Sequence, residues 1–290
     1  MDPKFITIGT DCVRSYSFCR VADDLIDESS SEAEAQKWVN QLRTFLDLAY
    51  RTVPPDVSNV KMQKFVESTF PPEAQLALLQ LPVSYLSRKP LYGLLHGFEM
   101  DLQFAGESQS LTKLNWPISN EADLERYGGF VAGTVAELCL DLVFHHYPNC
   151  GTPEKKSYLK GAGGDMGVAL QITNIARDIE VDAALRRVYI PSAWLAAEDL
   201  NQEDVIKVPR SQTVREIRSK LLDKAFGIYE SSRGAIEELP REVRGPMRVA
   251  VESYMEIGRV LRQDGYQVTT GRATVPTLRR IRVAWRALRQ

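Results

Sequence analysis

The chain has 290 residues, 44% of them hydrophobic, with 36 Lys plus Arg against 38 Asp plus Glu. Such a length and apolar content suffice for a sizeable buried core, and a formal net charge of −2 gives no global field to gather nucleic acid or an anionic membrane. Any electrostatic function must be local, and no nucleic-acid partner is expected.

Cys12, Cys19, Cys139 and Cys150 form no CxxC pair and share no ligand-like spacing with His145 and His146. This argues against zinc and for an intracellular, reducing compartment. No basic-then-apolar leader opens the chain, and no apolar run is read as reaching transmembrane length, since even "VAELCLDLVF" carries Glu137 and Asp141. The expectation is a soluble or peripherally membrane-associated protein. Residues 241–290 hold eleven arginines and four acids, whereas residues 1–50 hold nine acids and five bases. Either the two ends meet across a polar site or these are ordinary surface charges.

The first element is "CRVADDLIDE", residues 19–28. On a helix Asp23 and Asp27 lie one turn apart, rising ~6 Å, so both carboxylates leave one face, which Arg20 and Tyr16 continue backward. Phe18, Ala22, Leu25 and Ile26 fall opposite, suited to a core. Alone this is the pattern of a solvated helix face. Residues 31–50 set Ala35, Trp38, Val39, Leu42, Phe45, Leu46 and Ala49 at three-and-four spacing, with Ser31 and Glu34 as a capping box. The same period returns in "PPEAQLALLQL", in "PLYGLLHGFEMDLQF" with Pro90 suited to a first helical position, and in "ADLERYGGFVAGTVAELCLDLVF". Gly128, Gly129, Ala132, Gly133 and Ala136 either let helices pack closely or leave room for a long apolar ligand.

"GAGGDMG", residues 161–167, has the wrong spacing for a dinucleotide fingerprint and follows no strand, so a helix entry or a close helix contact is expected. Next comes "LQITNIARDIEVD", where Asn174, Asp178 and Asp182 fall at four-residue steps, Gln171 lies three before Asn174, and Arg177 sits beside them. Leu170, Ile172, Ile175, Ala176 and Ile179 serve the other faces. Helical patterns continue to "TLRRIRVAWRAL", which sets Arg279, Arg282, Arg286 and Arg289 along one face and Leu278, Ile281, Trp285 and Leu288 along another. That basic amphipathic helix either lies on a membrane or packs on the protein's own bundle. Alternating strand patterns are nearly absent and no break is long enough for a linker, so one all-α domain over residues 1–290 is predicted. His96, His145 and His146 are assigned structural or surface roles, and "DDLIDESSSEAE" lacks the glycine and ligand spacing of an EF-hand loop.

Helices apolar on most sides belong inside a bundle, so the two acidic stripes should face an internal cavity. Facing carboxylates repel unless a cation lies between them, and all-oxygen ligands suit Mg²⁺ shared with a phosphate or diphosphate. Arg20 and Arg177 would complete such an anion site.

"YSFCRVADDLIDE", "YGGFVAGTVAELC", "ALQITNIARDIEVDAALRRVYIP" and "DGYQVTTGRATVP" together resemble the squalene and phytoene synthase family, head-to-head prenyltransferases with the class I isoprenoid synthase fold. Within it the resemblance is greatest to phytoene synthases, particularly the synthase portion of fungal bifunctional proteins. The resemblance implies Mg²⁺, with Mn²⁺ as an alternative, held by Asp23 and Asp27 with Asp24 in support, and by Asn174, Asp178 and Asp182. It implies that Arg20, Gln171 and Arg177 contact diphosphate oxygens, that Tyr16, Tyr127 and Tyr266 line the reaction centre, and that Val131 and Val135 contact substrate.

The implied reaction joins two geranylgeranyl diphosphates through a cyclopropyl diphosphate to phytoene, without NADPH. Alternatives are a squalene or dehydrosqualene synthase using farnesyl diphosphate, and a non-catalytic relative acting as an assembly factor. Two departures are expected to matter. The residues before Tyr16 lack the His-Ser-x-Ser-Phe type motif of the family's usual N-terminal helix, and Ala136 stands where many relatives have glycine beside the tunnel.

Overall fold

The computed structural model describes residues 3–51, 55–104, 116–263 and 275–289, and among them every regular element is a helix. In chain order these are α1 (Pro3–Asp27), α2 (Glu32–Ala49), α3 (Pro55–Thr69), α4 (Pro72–Leu79), α5 (Arg88–Leu102) and α6 (Glu121–Gly128). A π turn (Gly129–Gly133) leads into α7 (Thr134–His146), followed by α8 (Pro153–Ala184), α9 (Ser192–Ala196), α10 (Gln202–Lys207) and α11 (Gln212–Ser232). A 3₁₀ turn (Arg233–Glu238), α12 (Arg241–Leu261) and α13 (Thr277–Arg289) complete the single-domain bundle. Tyr266 lies outside the described residues.

Local signals place the helix ends. Ser31 caps α2 by accepting from the Glu34 N–H, as expected, but the Glu34 carboxylate reaches the Ser30 N–H (2.8 Å) and hydroxyl (2.6 Å) rather than Ser31. Of the predicted α2 stripe, Ala35, Val39, Leu42, Phe45 and Leu46 are buried. Pro90 falls in the first turn of α5, two residues past its start, where N–H groups still lack intrahelical acceptors.

α8 packs against α7, α11, α12 and the π turn. The contact with the π turn is backbone on backbone. A Cβ at Gly167 would stand 2.5 Å from the Gly133 nitrogen and 2.6 Å from the Ala132 carbonyl carbon and oxygen, and one at Gly133 would meet the Gly164 oxygen at 3.1 Å. "GAGGDMG" is therefore a close helix contact in mid-α8, not a helix entry. Gly128 likewise lies against Val168, so glycines make the contact while Ala132 and Ala136 face a cavity.

α1 docks on α7 through Asp11, whose buried carboxylate lies 3.0 Å from His146 Nε2. His145 stacks on Tyr85, with ring centroids 3.7 Å apart, and His96 Nδ1 lies 2.9 Å from Glu99. These contacts fit the structural roles expected of the histidines. The continuous helix Glu121–His146 is long and apolar enough to cross a membrane by length and composition, with a mean hydropathy of 1.4 over an 18-residue window, because two acids do not offset its aliphatic residues; this corrects the sequence expectation. Half of that window is buried inside the bundle, as in the core helix of a globular protein.

α13 does pack on the bundle, yet inverted from a simple amphipathic helix. Its Ala287 is buried and its Arg279 pairs with Glu256 of α12, whereas Leu278, Ile281, Trp285 and Leu288 stay exposed. Among the described residues, arginines of the basic end pair with carboxylates such as Glu237 and Asp223, in Arg248–Glu237 and Arg262–Asp223, rather than with those of the acidic start.

Gly167→Ala is expected to destabilise the protein by about 1–3 kcal/mol through forced separation of α8 from the π turn. Gly161→Ala, with nothing within 4 Å of its added methyl, should be neutral or gain up to about 1 kcal/mol in helix propensity. Urea unfolding of the two variants checks the contrast.

Candidate functional site

A cavity of about 680 Å³ lies among α1, α5, the π turn, α7, α8 and α12. Its polar lining comes from Tyr16, Arg20 and Asp23 of α1, Asp101 of α5, and Gln171 and Asn174 of α8. Most of the remainder is apolar, including Phe98, Val131, Val135, Leu140, Leu159, Leu239 and Met247, with Tyr127, Ser232 and Tyr254 as further polar residues. Along α8 the lining runs from Asn174 back to Leu159, which is ~22 Å of helix. One end can thus hold a charged head and the rest an extended hydrocarbon chain.

At the polar end, cations separate the carboxylates. The Arg20 guanidinium lies 3.3 Å from Asp23 and 2.6 Å from Asp24. Arg187 reaches Asp27 at 3.4 Å, and its own backbone N–H donates to the Asp182 carbonyl at 2.8 Å. The ends of α1 and α8 are therefore joined by one side chain, which brings the two acidic stripes to one end of the bundle. Burial pulls the Arg187 pKa down, but nearby Tyr189, Asp101 and Asp27 outweigh this and hold it above its ordinary value.

Below this layer, Asp101 accepts hydrogen bonds from Tyr127 (3.0 Å) and Tyr189 (2.8 Å), whose rings stack with centroids 5.1 Å apart. Desolvation raises the Asp101 pKa to about 6 against the pull of Tyr189, Arg187 and Tyr127. Burial, followed by the Asp101 charge, pushes both phenols well above their usual range, so they stay protonated donors. Asp23 is likewise raised to about 6, first by desolvation and then by Asp27, with Arg20 opposing.

The site residues read from sequence divide into two groups. Tyr16, Arg20, Asp23, Tyr127, Val131, Val135, Gln171 and Asn174 line the cavity. Asp27 and Asp182 are not among its lining residues but flank it through Arg187. Arg177 and Asp178 bind each other in a bidentate pair, at 2.8 and 2.6 Å, and stand behind the lining. Sequence reasoning missed Asp101, Arg187 and Tyr189. Asp101 had a signal, an acid in the apolar run "FEMDLQF"; Arg187 and Tyr189 sit in a non-helical stretch that periodicity does not read.

Among the described residues no three His, Cys, Asp or Glu side chains gather closely enough to hold a metal ion by themselves. The donor set nonetheless fits Mg²⁺, which binds through one or two carboxylates and completes its shell with substrate phosphates and water. Asn174 adds a buried side-chain oxygen that has no hydrogen-bond donor, while its amide nitrogen donates to Gln171 at 3.3 Å. A buried acceptor without a donor is what a cation would satisfy.

Comparison with known proteins agrees with this geometry. Residues 10–282 match the family model described as squalene/phytoene synthase. The bifunctional lycopene cyclase/phytoene synthase of Phaeosphaeria nodorum is 50% identical over 281 residues, covering 97% of this chain and 46% of that protein. Its namesake in Neurospora crassa is 44% identical over 290 residues, covering 96% and 48%. The chain thus spans about half the length of the curated relatives it matches. A dehydrosqualene synthase structure superposes with a TM-score of 0.70 at 21% identity, covering 97% of this chain and 86% of that one. A squalene synthase from Alicyclobacillus acidocaldarius gives 0.62 at 21% identity, covering 90% and 85%. At such identities the structures establish the fold, the class I isoprenoid synthase bundle.

The raised Asp101 pKa sets a pH dependence. Asp101 binds its proton more tightly folded than unfolded, so its contribution to stability is full below the unfolded value and is lost as pH rises through about 6. Asp101→Asn keeps an acceptor for the tyrosines and removes that titration. Melting temperatures between about pH 4 and about pH 7 should fall less steeply in the variant than in the parent protein.

Proposed function

Because the chain belongs to the squalene/phytoene synthase family, we propose that it is a phytoene-synthase-type transferase. It condenses two geranylgeranyl diphosphates head to head to phytoene, through a cyclopropyl diphosphate, in carotenoid biosynthesis. The observation that carries this reading is the single cavity that joins a cation-bridged acidic end to a long apolar slot. Similarity to bifunctional lycopene cyclase/phytoene synthases supports the prenyl chemistry.

In this reading Arg20, Gln171 and Asn174 orient the diphosphate, and Arg187 balances charge between Asp27 and Asp101. Val131 and Val135 hold the prenyl chain and exclude water. Tyr127 donates to Asp101, which makes its phenol oxygen electron-rich beside the place where allylic positive charge develops. Tyr16 and Tyr266 are proposed to close the reaction centre. Family membership points to a Mg²⁺-dependent reaction. Asp23, Asp27, Asn174, Asp178 and Asp182 are the residues proposed to hold the ion, with Arg177 positioning Asp178. Mg²⁺ when bound supplies the charge that makes diphosphate a good leaving group. No NADPH enters the scheme. The exposed apolar stripe of α13 is proposed to contact a membrane peripherally, where so apolar a product would leave.

Incubation with geranylgeranyl diphosphate and Mg²⁺, without NADPH, should yield phytoene by product chromatography. Faster turnover of farnesyl diphosphate would move the assignment to the squalene branch, and no hydrocarbon from either substrate would count for a non-catalytic role. Asp23→Ala and Asp178→Ala should each lower turnover about 100-fold or more while the helical circular dichroism is retained.

A further inference from the structure

α12 has two working faces. Met247, Ala250, Val251 and Tyr254 line the main cavity, whereas Glu252, Glu256 and Arg259 point to the other side, into a separate cleft of about 550 Å³ bounded by α13. Five guanidinium groups line this cleft, from Arg233, Arg259, Arg279, Arg282 and Arg286, against two carboxylates. Those carboxylates are already engaged. Arg259 lies 2.9 Å from Glu252 and 3.0 Å from Glu256, and Arg279 pairs with the other oxygen of Glu256. Arg282 and Arg286 have no carboxylate partner among the described residues. The cleft therefore has a surplus of positive charge, carried by planar forks that match phosphate oxygens.

The same helix defines what kind of phosphate. Arg279, Val283 and Ala287, at four-residue steps, turn toward α12, which leaves Leu278, Ile281 and Trp285 on the outer side, 83%, 60% and 53% exposed, with Leu288, 59% exposed, at the edge of the contact beside Gly245. Arg282 and Arg286 lie on the flank between the two faces. A small soluble anion would satisfy the arginines but leave that apolar stripe in water. A surface that is apolar at acyl depth and anionic at headgroup depth satisfies both.

We propose that the arginine-lined cleft between α12 and α13 binds the phosphate of an anionic phospholipid while the α13 stripe seats in the lipid beside it. This rests on the peripheral membrane contact described above and adds a headgroup site to it. Because the cleft and the main cavity lie on opposite faces of α12, lipid binding and substrate binding are separate events.

Co-sedimentation of the purified chain with phosphatidylcholine vesicles, with and without phosphatidylglycerol, tests the site. The chain should prefer the anionic vesicles. Arg282→Gln combined with Arg286→Gln should weaken that binding about thirtyfold, the effect of two arginines at roughly 1 kcal/mol each. Lys61→Gln with Lys64→Gln on α3 makes the same change in net charge and should have little effect. Trp285→Ser should weaken binding to both vesicle types.

Equal binding to neutral and anionic vesicles, or equal losses in the arginine and lysine pairs, would overturn the headgroup site and leave the membrane contact standing. Binding abolished by free inorganic diphosphate, with no lipid preference, would assign the cleft to a soluble anion and overturn it too. No binding to any vesicle would overturn both the site and the contact, leaving the stripe to a protein partner. None of these outcomes bears on phytoene formation, since Arg282, Arg286 and Trp285 lie outside the reaction cavity.

Discussion

The close approach of α8 to the π turn is the constraint on which the rest of the site depends. Gly167 and Gly133 remove the side chains that would hold two backbones apart, so the turn is pressed directly against the long helix. With that contact made by glycine, Val131, Ala132, Val135 and Ala136 are left to line a cavity instead of filling the gap. The extra residue in a π turn also re-aims the helix between α6 and α7, a device that recurs at functional sites. Close packing and an open slot thus come from the same short run of small residues, and the sequence alternatives of tight contact or ligand room are both realised.

Electrostatics at the polar end follows from geometry in the same way. Acidic stripes on two helices cannot be brought together unless positive charge separates them. Arg20 and Arg187 do this for α1, and Arg177 neutralises Asp178 from its own helix. At this end some carboxylates already have guanidinium partners, and one buried amide oxygen has no donor. The Asp101–Tyr127–Tyr189 group lies just inside, where desolvation rather than charge pairing dominates. Polar chemistry therefore grades from exposed ion pairs at the mouth to a hydrogen-bonded carboxylate at the wall of the apolar slot.

The outer surface shows that a helix's amphipathic pattern does not say which face it will bury. α13 uses an arginine and two small or aliphatic residues to meet α12, because α12 offers Glu256 there rather than an apolar groove. The charge of Arg279 is satisfied in the contact, and the larger apolar residues remain outside. Of the arginines on the basic face, Arg279 meets a carboxylate, while Arg282 and Arg286 line the cleft between the two helices.

Much of the molecule was legible in the sequence. Three-and-four spacing marked the helices, and four-residue steps placed Asp23 with Asp27 and Asn174 with Asp182 on shared faces, because helical periodicity is local. The family resemblance added the positions Val131 and Val135, which line the cavity. What periodicity could not supply is any relation between segments far apart in the chain. That Arg187 bridges Asp27 and the end of α8, that Asp101 collects two phenols, and that Arg177 turns to Asp178 rather than to the cavity were decided by packing alone. Each depends on which helices meet and at what depth, since a side chain's partner and the dielectric around it are properties of the assembled bundle and not of the residues beside it in sequence.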